Sequence, residues 1–417
     1  MAEVPRDRSP DSTAALLAEG YRFVSRRSRR YRSDAFRTRL MLQRVICTLG
    51  EEAARLFYQP DAFTRRGALP ITTLMLLQGR GSVQQLDGEA HRHRKQMFMS
   101  MMTPERIREL VDLMAQEWHA RLEQWEHRQQ VVLHDELQEI LCRAVARWMG
   151  IPLPESEARR RTREFAAMIE HAGTFGPRVI WALLLRARTE RWMRAIVTGI
   201  RNGQLDIPQG CPAHIIVWHR DLDGRLLEVP IAAIEIINIL RPTVAVAYFI
   251  TFAAHAMHEH PECRSRLETG DDDYLEMFVQ EVRRFYPFFP LIGGKALRAF
   301  ELRGQRFPRG TWLLLDLYGT NHDGRIWETP EQFRPERFQG WHSSGFDLIP
   351  QGAGDHYTTH RCPGEWITLE LMKEAVRLLT RSIRYDVPEQ DLNIDLSRFP
   401  TLPRSRFVIS NIRRTSV

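Results

Sequence analysis

Cysteine is scarce in this chain and follows no pattern. The five cysteines, Cys47, Cys142, Cys211, Cys263 and Cys362, are odd in number and scattered, and form no Cys-x-x-Cys pair. That argues against a disulfide framework and a zinc site, and for a reducing compartment. No charged, apolar and small-residue leader occupies positions 1–20, so the expected location is the cytoplasm. The 23 prolines form no tract, and no internal repeat or low-complexity segment is present. A clean membrane-spanning run is also missing. The most apolar stretch, 229–257, is long enough to span but contains Glu235, Asn238, Arg241 and Pro242. A central Arg or Glu costs about 2.5–3.5 kcal/mol on insertion, so a soluble core helix is expected and no transmembrane segment. Nor does any nucleic-acid motif accompany the formal charge of +7. The basic run Arg26, Arg27, Arg29, Arg30, Arg32, Arg37 and Arg39 has only Tyr31 and Phe36 interleaved. It reads as a solvated helical face, and no nucleic-acid partner is expected.

What is there is a globular chain of 417 residues, 43% hydrophobic, able to bury a cofactor. The periodicity predicts a basic lead-in over 1–40 with an exposed helix at 12–30, a β-prone piece at 45–49 and helix from Glu51. From Ala90 one amphipathic helix follows another, with breaks at Thr103-Pro104, 150–154, 173–177 and 203–212. Strand-like runs return at 311–317 and 406–409. The expected class is mainly α with a small β portion, in a single domain over 1–417. Within the apolar stretch, Arg241 needs an anion, because an unpaired buried cation is severely destabilising. Glu235, nearly two turns away, is the only carboxylate nearby, so the partner is a distant side chain or an acidic ligand. Pro242 removes a backbone donor and is expected to bend the helix there, opening room beside Arg241.

Near the carboxyl end, Ile349-Pro350-Gln351-Gly352 and His360-Arg361-Cys362-Pro363-Gly364 run into a helix-like stretch from Glu365. A cysteine in such a Gly/Pro-braced loop at a helix mouth has its thiolate favoured, and a thiolate can serve as axial ligand to haem iron. The alternative is a buried loop cysteine. Upstream lie Glu281-Val282-Arg283-Arg284, with its i,i+3 ion pair, then Asn321-His322-Asp323 and Phe333-Arg334-Pro335-Glu336-Arg337-Phe338. In this order the four elements resemble the cytochrome P-450 superfamily, which implies its α-helical haem-binding prism and haem b on the Cys362 thiolate. The resemblance makes Glu281, Arg284 and Arg337 a structural triad beneath the haem. It makes His91, Lys95, His360 and Arg65 contacts to the haem propionates; the alternative for His91 and Lys95 is an i,i+4 basic pair facing solvent.

Two departures from the superfamily's pattern narrow the resemblance. Arg241-Pro242 stands where most members have an acid followed by threonine, and the cysteine loop is lengthened by 353–361. Both are similar to the fatty-acid peroxygenase branch, as is Asn238-Ile239-Leu240-Arg241-Pro242. The resemblance runs over about 16–413 and implies hydrogen-peroxide-dependent hydroxylation of long-chain fatty acids at Cα, and at Cβ as well, without an obligatory redox partner. Arg241 would anchor the carboxylate, which would act as the general acid–base; Pro242 would shape the distal helix. Gln84 would line the distal pocket, and since an amide does not shuttle protons, decarboxylation to an alkene is expected to be minor. Leu77, Phe175, Phe288, Phe289 and Leu291 are candidate walls for the alkyl chain, with plain core packing as the alternative for each. Two rival readings are a reductase-fed monooxygenase using Thr243 as proton relay, and a non-catalytic haem-thiolate sensor.

Overall fold

The computed structural model describes residues 3–415. Two short helices, α1 (Thr13–Glu19) and α2 (Phe23–Tyr31), lead into a hairpin of β1 (Ala35–Leu40) and β2 (Gln43–Thr48). Next come α3 (Glu51–Phe57), β3 (Phe63–Thr64), α4 (Ile71–Leu77), α5 (Gly88–Met99) and α6 (Pro104–Trp125). The helical body continues through β4 (Gln130–Val132), α7 (Leu133–Met149), α8 (Glu155–Glu170), α9 (Pro177–Arg201), α10 (Pro212–Val217), α11 (Val229–Glu259), α12 (Pro261–Glu268) and α13 (Asp272–Phe285). The remainder is β5 (Leu291–Ala296), β6 (Phe300–Leu302), β7 (Gln305–Phe307), β8 (Trp312–Asp316), α14 (Leu317–Asn321), α15 (Glu365–Arg377), β9 (Ile383–Asp386) and β10 (Val408–Arg414).

The helix boundaries follow from capping chemistry. Thr103 accepts the Arg106 N–H and Pro104 fills the first helical position of α6, where no donor is needed. Asp271 accepts the Tyr274 N–H at the start of α13. The largest sheet has the order β1-β2-β8-β5-β3. Its β2–β8 pair is parallel and the others antiparallel. A smaller sheet has the order β4-β10-β9.

Helix α11 is the axle of the main core. Apart from Pro242, every residue from Ala232 to Met257 is buried, as expected of a helix that is apolar on all sides. It packs against α7, α8, α9, α13 and α15. Its length and composition would allow a membrane span, but 78% of its most apolar window is buried inside the protein. The helix runs on through Pro242 as one span, Val229–Glu259.

The lead-in differs from its sequence reading. Helix 12–30 is broken at Gly20, whose φ is 57° and where a Cβ would lie 2.0 Å from the Leu396 carbonyl oxygen. Tyr21, Phe23 and Val24 beyond the break are buried, so this is a docked segment and not an exposed helix. The arginines do not share one face. Arg27 pairs with Asp7 at 2.7 Å and with Glu19 at 3.0 Å, while Arg37 and Arg39 sit on strand β1. Alternation of Arg with Phe36, Thr38 and Leu40 is a period-two strand signal that the charge run had concealed.

Candidate active site

The loop that presents Cys362 is held on both flanks. The Cys362 N–H donates to the Gln351 carbonyl at 3.0 Å. The Gln351 side chain lies 3.8 Å from the cysteine sulfur and donates to Thr368 Oγ1 on α15 at 3.0 Å. Gly352 has φ 97°, and a Cβ there would meet Tyr58 Oη at 2.7 Å, so the turn requires glycine. The added residues 353–361 brace themselves: Asp355 accepts the Tyr357 and Thr358 N–H groups at 3.0 and 2.9 Å, and Thr359 Oγ1 donates to the Ala353 carbonyl at 2.9 Å. Burial pushes the Cys362 thiol pKa up, against the Gly364 N–H and the Lys95 charge, which favour the thiolate. The helix-mouth effect expected from sequence is therefore outweighed in the free thiol. A coordinated metal cation deprotonates a thiol outright.

Glu365, in the first turn of α15, collects the charges around this loop. It accepts from Arg361 Nε at 2.6 Å and pairs with His356 Nε2 at 3.1 Å and with buried Arg283. Burial raises its pKa, but Arg283, His356 and Arg361 together win and hold it well below the carboxylate range. The folded pKa lies below the unfolded one, so the contribution to stability is complete above about pH 4.5 and is lost as pH falls. Glu365→Gln is expected to cost about 3 kcal/mol near neutrality. The gap between variant and parent should close progressively below about pH 4.5, as read by urea midpoints across pH.

Four basic groups gather beside the cysteine. His91 on α5 and His360 lie with ring centroids 3.8 Å apart. Lys95, one turn on, donates to the Thr359 carbonyl at 3.2 Å and also to that of Arg361. Arg65 stacks 4.0 Å over the Phe57 ring and donates to the Gly293 carbonyl at 3.3 Å, while its Nε has no partner. Burial first, then neighbouring positive charge, lowers His91 to about 4, and burial lowers Lys95 to about 8 and Arg65 to about 10. Among the described residues, none of the four pairs with a carboxylate. A sulfur for iron beside four basic groups that no described carboxylate neutralises is a set that fits haem b with its two propionates.

Across the site, α11 presents Arg241. Its guanidinium is buried, donates once to the Leu76 carbonyl at 3.3 Å, and leaves Nε unpartnered. Burial, then Arg186, brings its pKa down to about 9. Glu235 is unavailable to it, because that carboxylate binds Arg94 at 3.0 Å, the Val83 N–H at 2.7 Å and Asn238 at 3.1 Å. Gln84 accepts from Asn238 Nδ2 at 3.3 Å, which places it against the same helix. Thr243 Oγ1 donates to the Ile239 carbonyl at 2.9 Å.

The expected wall residues divide. Leu77 ends α4, next to the carbonyl that holds Arg241. Phe288 lies against Phe249 of α11, the rings tilted by 37° with centroids 4.4 Å apart. Phe289, 36% exposed, sets its ring edge-on to Phe288 with centroids 6.3 Å apart. The other two lie elsewhere: Phe175 is 60% exposed in the loop before α9, and Leu291 packs on the cluster around Phe23 and Phe36. Sequence reading passed over the Leu76 carbonyl, which has no side-chain signature. It also passed over Arg186, a fully buried arginine paired with Glu190 at 2.9 Å. Gln351 stood in the quoted loop motif and could have been named.

The triad is closed. Arg284 meets Glu281 at 2.6 Å and Arg337 meets the same carboxylate at 3.1 Å.

A haem-thiolate protein is the class these features define, and the chain belongs to the cytochrome P450 superfamily. The cytochrome P450 family profile matches residues 271–404. A variant of cytochrome P450SP alpha (CYP152B1) is 49% identical, with 97% of this chain and 100% of that one covered and a TM-score of 0.95. Wild-type cytochrome P450EX alpha (CYP152N1), solved with myristic acid, is 41% identical over 100% of both chains, with a TM-score of 0.96. Within the superfamily the chain falls in the branch of these two, the fatty-acid peroxygenases. Matches to curated sequences are shorter: rhazimal synthase of Alstonia scholaris is 29% identical over 36% of this chain and 34% of its own length. The chain thus spans about a third of that relative's length.

Proposed function

We propose that this protein hydroxylates long-chain fatty acids at Cα, and at Cβ as a second position, with hydrogen peroxide as oxidant and no redox partner. The observation that carries the reading is Arg241, a buried cation on the central helix with no carboxylate of its own. The balance is R–CH2–COO− + H2O2 → R–CH(OH)–COO− + H2O.

Haem b on the Cys362 thiolate supplies the oxidation that places a peroxide oxygen in the C–H bond. Cys362 would hold the iron, and Arg65, His91, Lys95 and His360 would hold the propionates. Arg241 binds the fatty-acid carboxylate through its two-pronged donor face. That carboxylate then moves the proton between the two peroxide oxygens, a task for which α11 offers no free acid, since Glu235 is taken up by Arg94, the Val83 N–H and Asn238. The same anchor sets regiochemistry, because a headgroup fixed beside the metal brings Cα and Cβ within reach and leaves the chain terminus remote. Leu77 and Phe288 receive the first part of the alkyl chain. Two findings disfavour the rivals. The Thr243 hydroxyl is committed to its own helix, which weighs against a relay there, and the basic lead-in is split and paired rather than offered as one face.

The five cysteines are all free, which suits work in the cytoplasm. The test is mass-spectrometric product analysis after mixing haem-loaded protein, peroxide and a saturated fatty acid, with and without a reductase system. 2-Hydroxy acid from peroxide alone is expected; turnover that demands the reductase would sink the proposal. Gln84 controls the minor product. An amide cannot carry a proton near neutral pH, so Gln84→His is expected to raise the alkene-to-hydroxy-acid ratio severalfold in the same assay.

A further inference from the structure

An apolar face lies outside the site just described. Phe175 is 60% exposed, and on the first two turns of α9 Ile180, Trp181 and Leu184 are 62%, 49% and 66% exposed. Positions 180, 181 and 184 share one helix face. Ile71, 57% exposed at the start of α4, adjoins them, since Thr73 Oγ1 donates to the Ala172 carbonyl at 2.8 Å. Single exposed apolar residues are ordinary, but a group of five on adjoining segments marks a contact surface.

The charges say what kind of surface it meets. The two segments that build the face, 65–86 and 171–189, contain no Asp or Glu but do contain Arg65, Arg66, Arg80, Arg178, Arg186 and Arg188. Of these, Arg66, Arg80, Arg178 and Arg188 are exposed; Arg66 lies 3.8 Å from Asp87 and Arg188 3.3 Å from Glu164, while Arg80 and Arg178 have no carboxylate partner among the described residues. A second copy of this chain related by a twofold axis would set these arginines against their own equivalents. A tryptophan among aliphatic residues, rimmed by arginine, matches the boundary between lipid tails and anionic headgroups.

We propose that this face docks on an anionic lipid bilayer, the phase in which a long-chain fatty acid is dissolved. This rests on the fatty-acid reading above, and it adds where the substrate is collected. Helix α4 joins the two places: Ile71 at its start lies on the face, and Leu76 near its end holds Arg241. They are five residues apart, a rise of only about 7.5 Å along the helix. Beside α4 an open cleft of about 490 Å³ is lined by Leu69, Ile71, Leu74 and Leu86, with Arg66 and Arg80 at its walls. It offers an acyl chain an apolar path and its carboxylate two cations.

The test is sedimentation of the haem-loaded protein with vesicles of phosphatidylglycerol and phosphatidylcholine, against vesicles of phosphatidylcholine alone. Binding at least tenfold stronger to the anionic vesicles, weakened by salt, is expected. The triple variant Ile180→Ser, Trp181→Ser, Leu184→Ser should bind them at least tenfold more weakly. Arg178→Glu should lose roughly fivefold or more. Peroxide-driven turnover of a dissolved medium-chain fatty acid should stay within twofold of the parent in both variants, which reports that they are folded. Equal sedimentation of parent and triple variant would overturn the proposal. So would a parent dimer that the triple variant dissolves, which would make the face a contact between copies. Absence of turnover on dissolved acid by the parent would instead count against the fatty-acid reading, and the vesicle result stands apart from it.

Discussion

Replacing Arg241 with leucine is expected to lower kcat/KM for peroxide-driven hydroxylation by about 10³-fold, the range for losing a positioned acid–base group. That is a barrier increase of about 4 kcal/mol. The variant should keep its haem, because among the described residues Arg241 makes no hydrogen bond or ion pair to the cysteine loop or the four basic groups. It should also be more stable than the parent when no fatty acid is present. The parent buries a guanidinium that has one carbonyl partner and an unpartnered Nε, and such a charge costs several kcal/mol to desolvate. Leucine removes that cost and in return strands the Leu76 carbonyl, worth about 1–3 kcal/mol. A net gain of about 1–2 kcal/mol is expected from urea unfolding. Arg241→Lys keeps the charge but loses the planar fork, so an intermediate loss of about 10–100-fold is expected. Unchanged turnover in the leucine variant would remove Arg241 from the mechanism. A loss of haem would mean that the residue is part of the scaffold.

This pairing of lost activity with gained stability is what distinguishes an anchor for a ligand from an ordinary buried arginine. The molecule contains the comparison. Arg284 and Arg283 are just as buried, but each faces a carboxylate, Glu281 or Glu365. Arg186 has Glu190. Among the described residues Arg241 has no such partner.

How much of this could be read from the residues depended on the kind of information. Cys362, the Glu281–Arg284–Arg337 triad and the odd Arg241-Pro242 pair are side-chain identities at characteristic spacings, and they stood in the sequence in order. The breaks between long helices were legible because caps such as Thr103-Pro104 are local chemistry. Strand β1 was not legible, since Arg37 and Arg39 alternate with apolar residues inside what reads as one charge run. The break at Gly20 depends on a chain segment nearly 380 positions away, at Leu396, and no local window contains it. Phe175 illustrates the opposite error. An aromatic residue between long helices is a reasonable pocket wall, and only the docking of the 173–176 loop shows that it faces out.

The largest loss of stability is expected from Glu281→Ala. This carboxylate has no exposure and accepts four hydrogen bonds: Arg284 Nε at 2.6 Å, Arg284 Nη2 at 2.8 Å, the Arg334 N–H at 2.8 Å and Arg337 Nε at 3.1 Å. Alanine leaves two arginines without their shared counter-charge, and breaking a buried pair costs about 3–5 kcal/mol. The damage should reach the cysteine loop by a traceable route. Arg284 Nη1 holds the Asn321 and Pro330 carbonyls at 3.0 Å each, and Asn321 Oδ1 accepts the Ile349 N–H at 2.9 Å, at the entrance to the loop that carries Cys362. Haem retention should therefore fall together with the unfolding midpoint. Glu281→Gln should not rescue it, because its amide N–H groups would face the Arg284 donors. An all-apolar substitution of the three residues should fail as well. The Asn321 and Pro330 carbonyls that Arg284 holds would then be left without a donor, the first of them buried. A Glu281→Ala protein with a parental midpoint and full haem absorbance would show that the triad does not hold the loop.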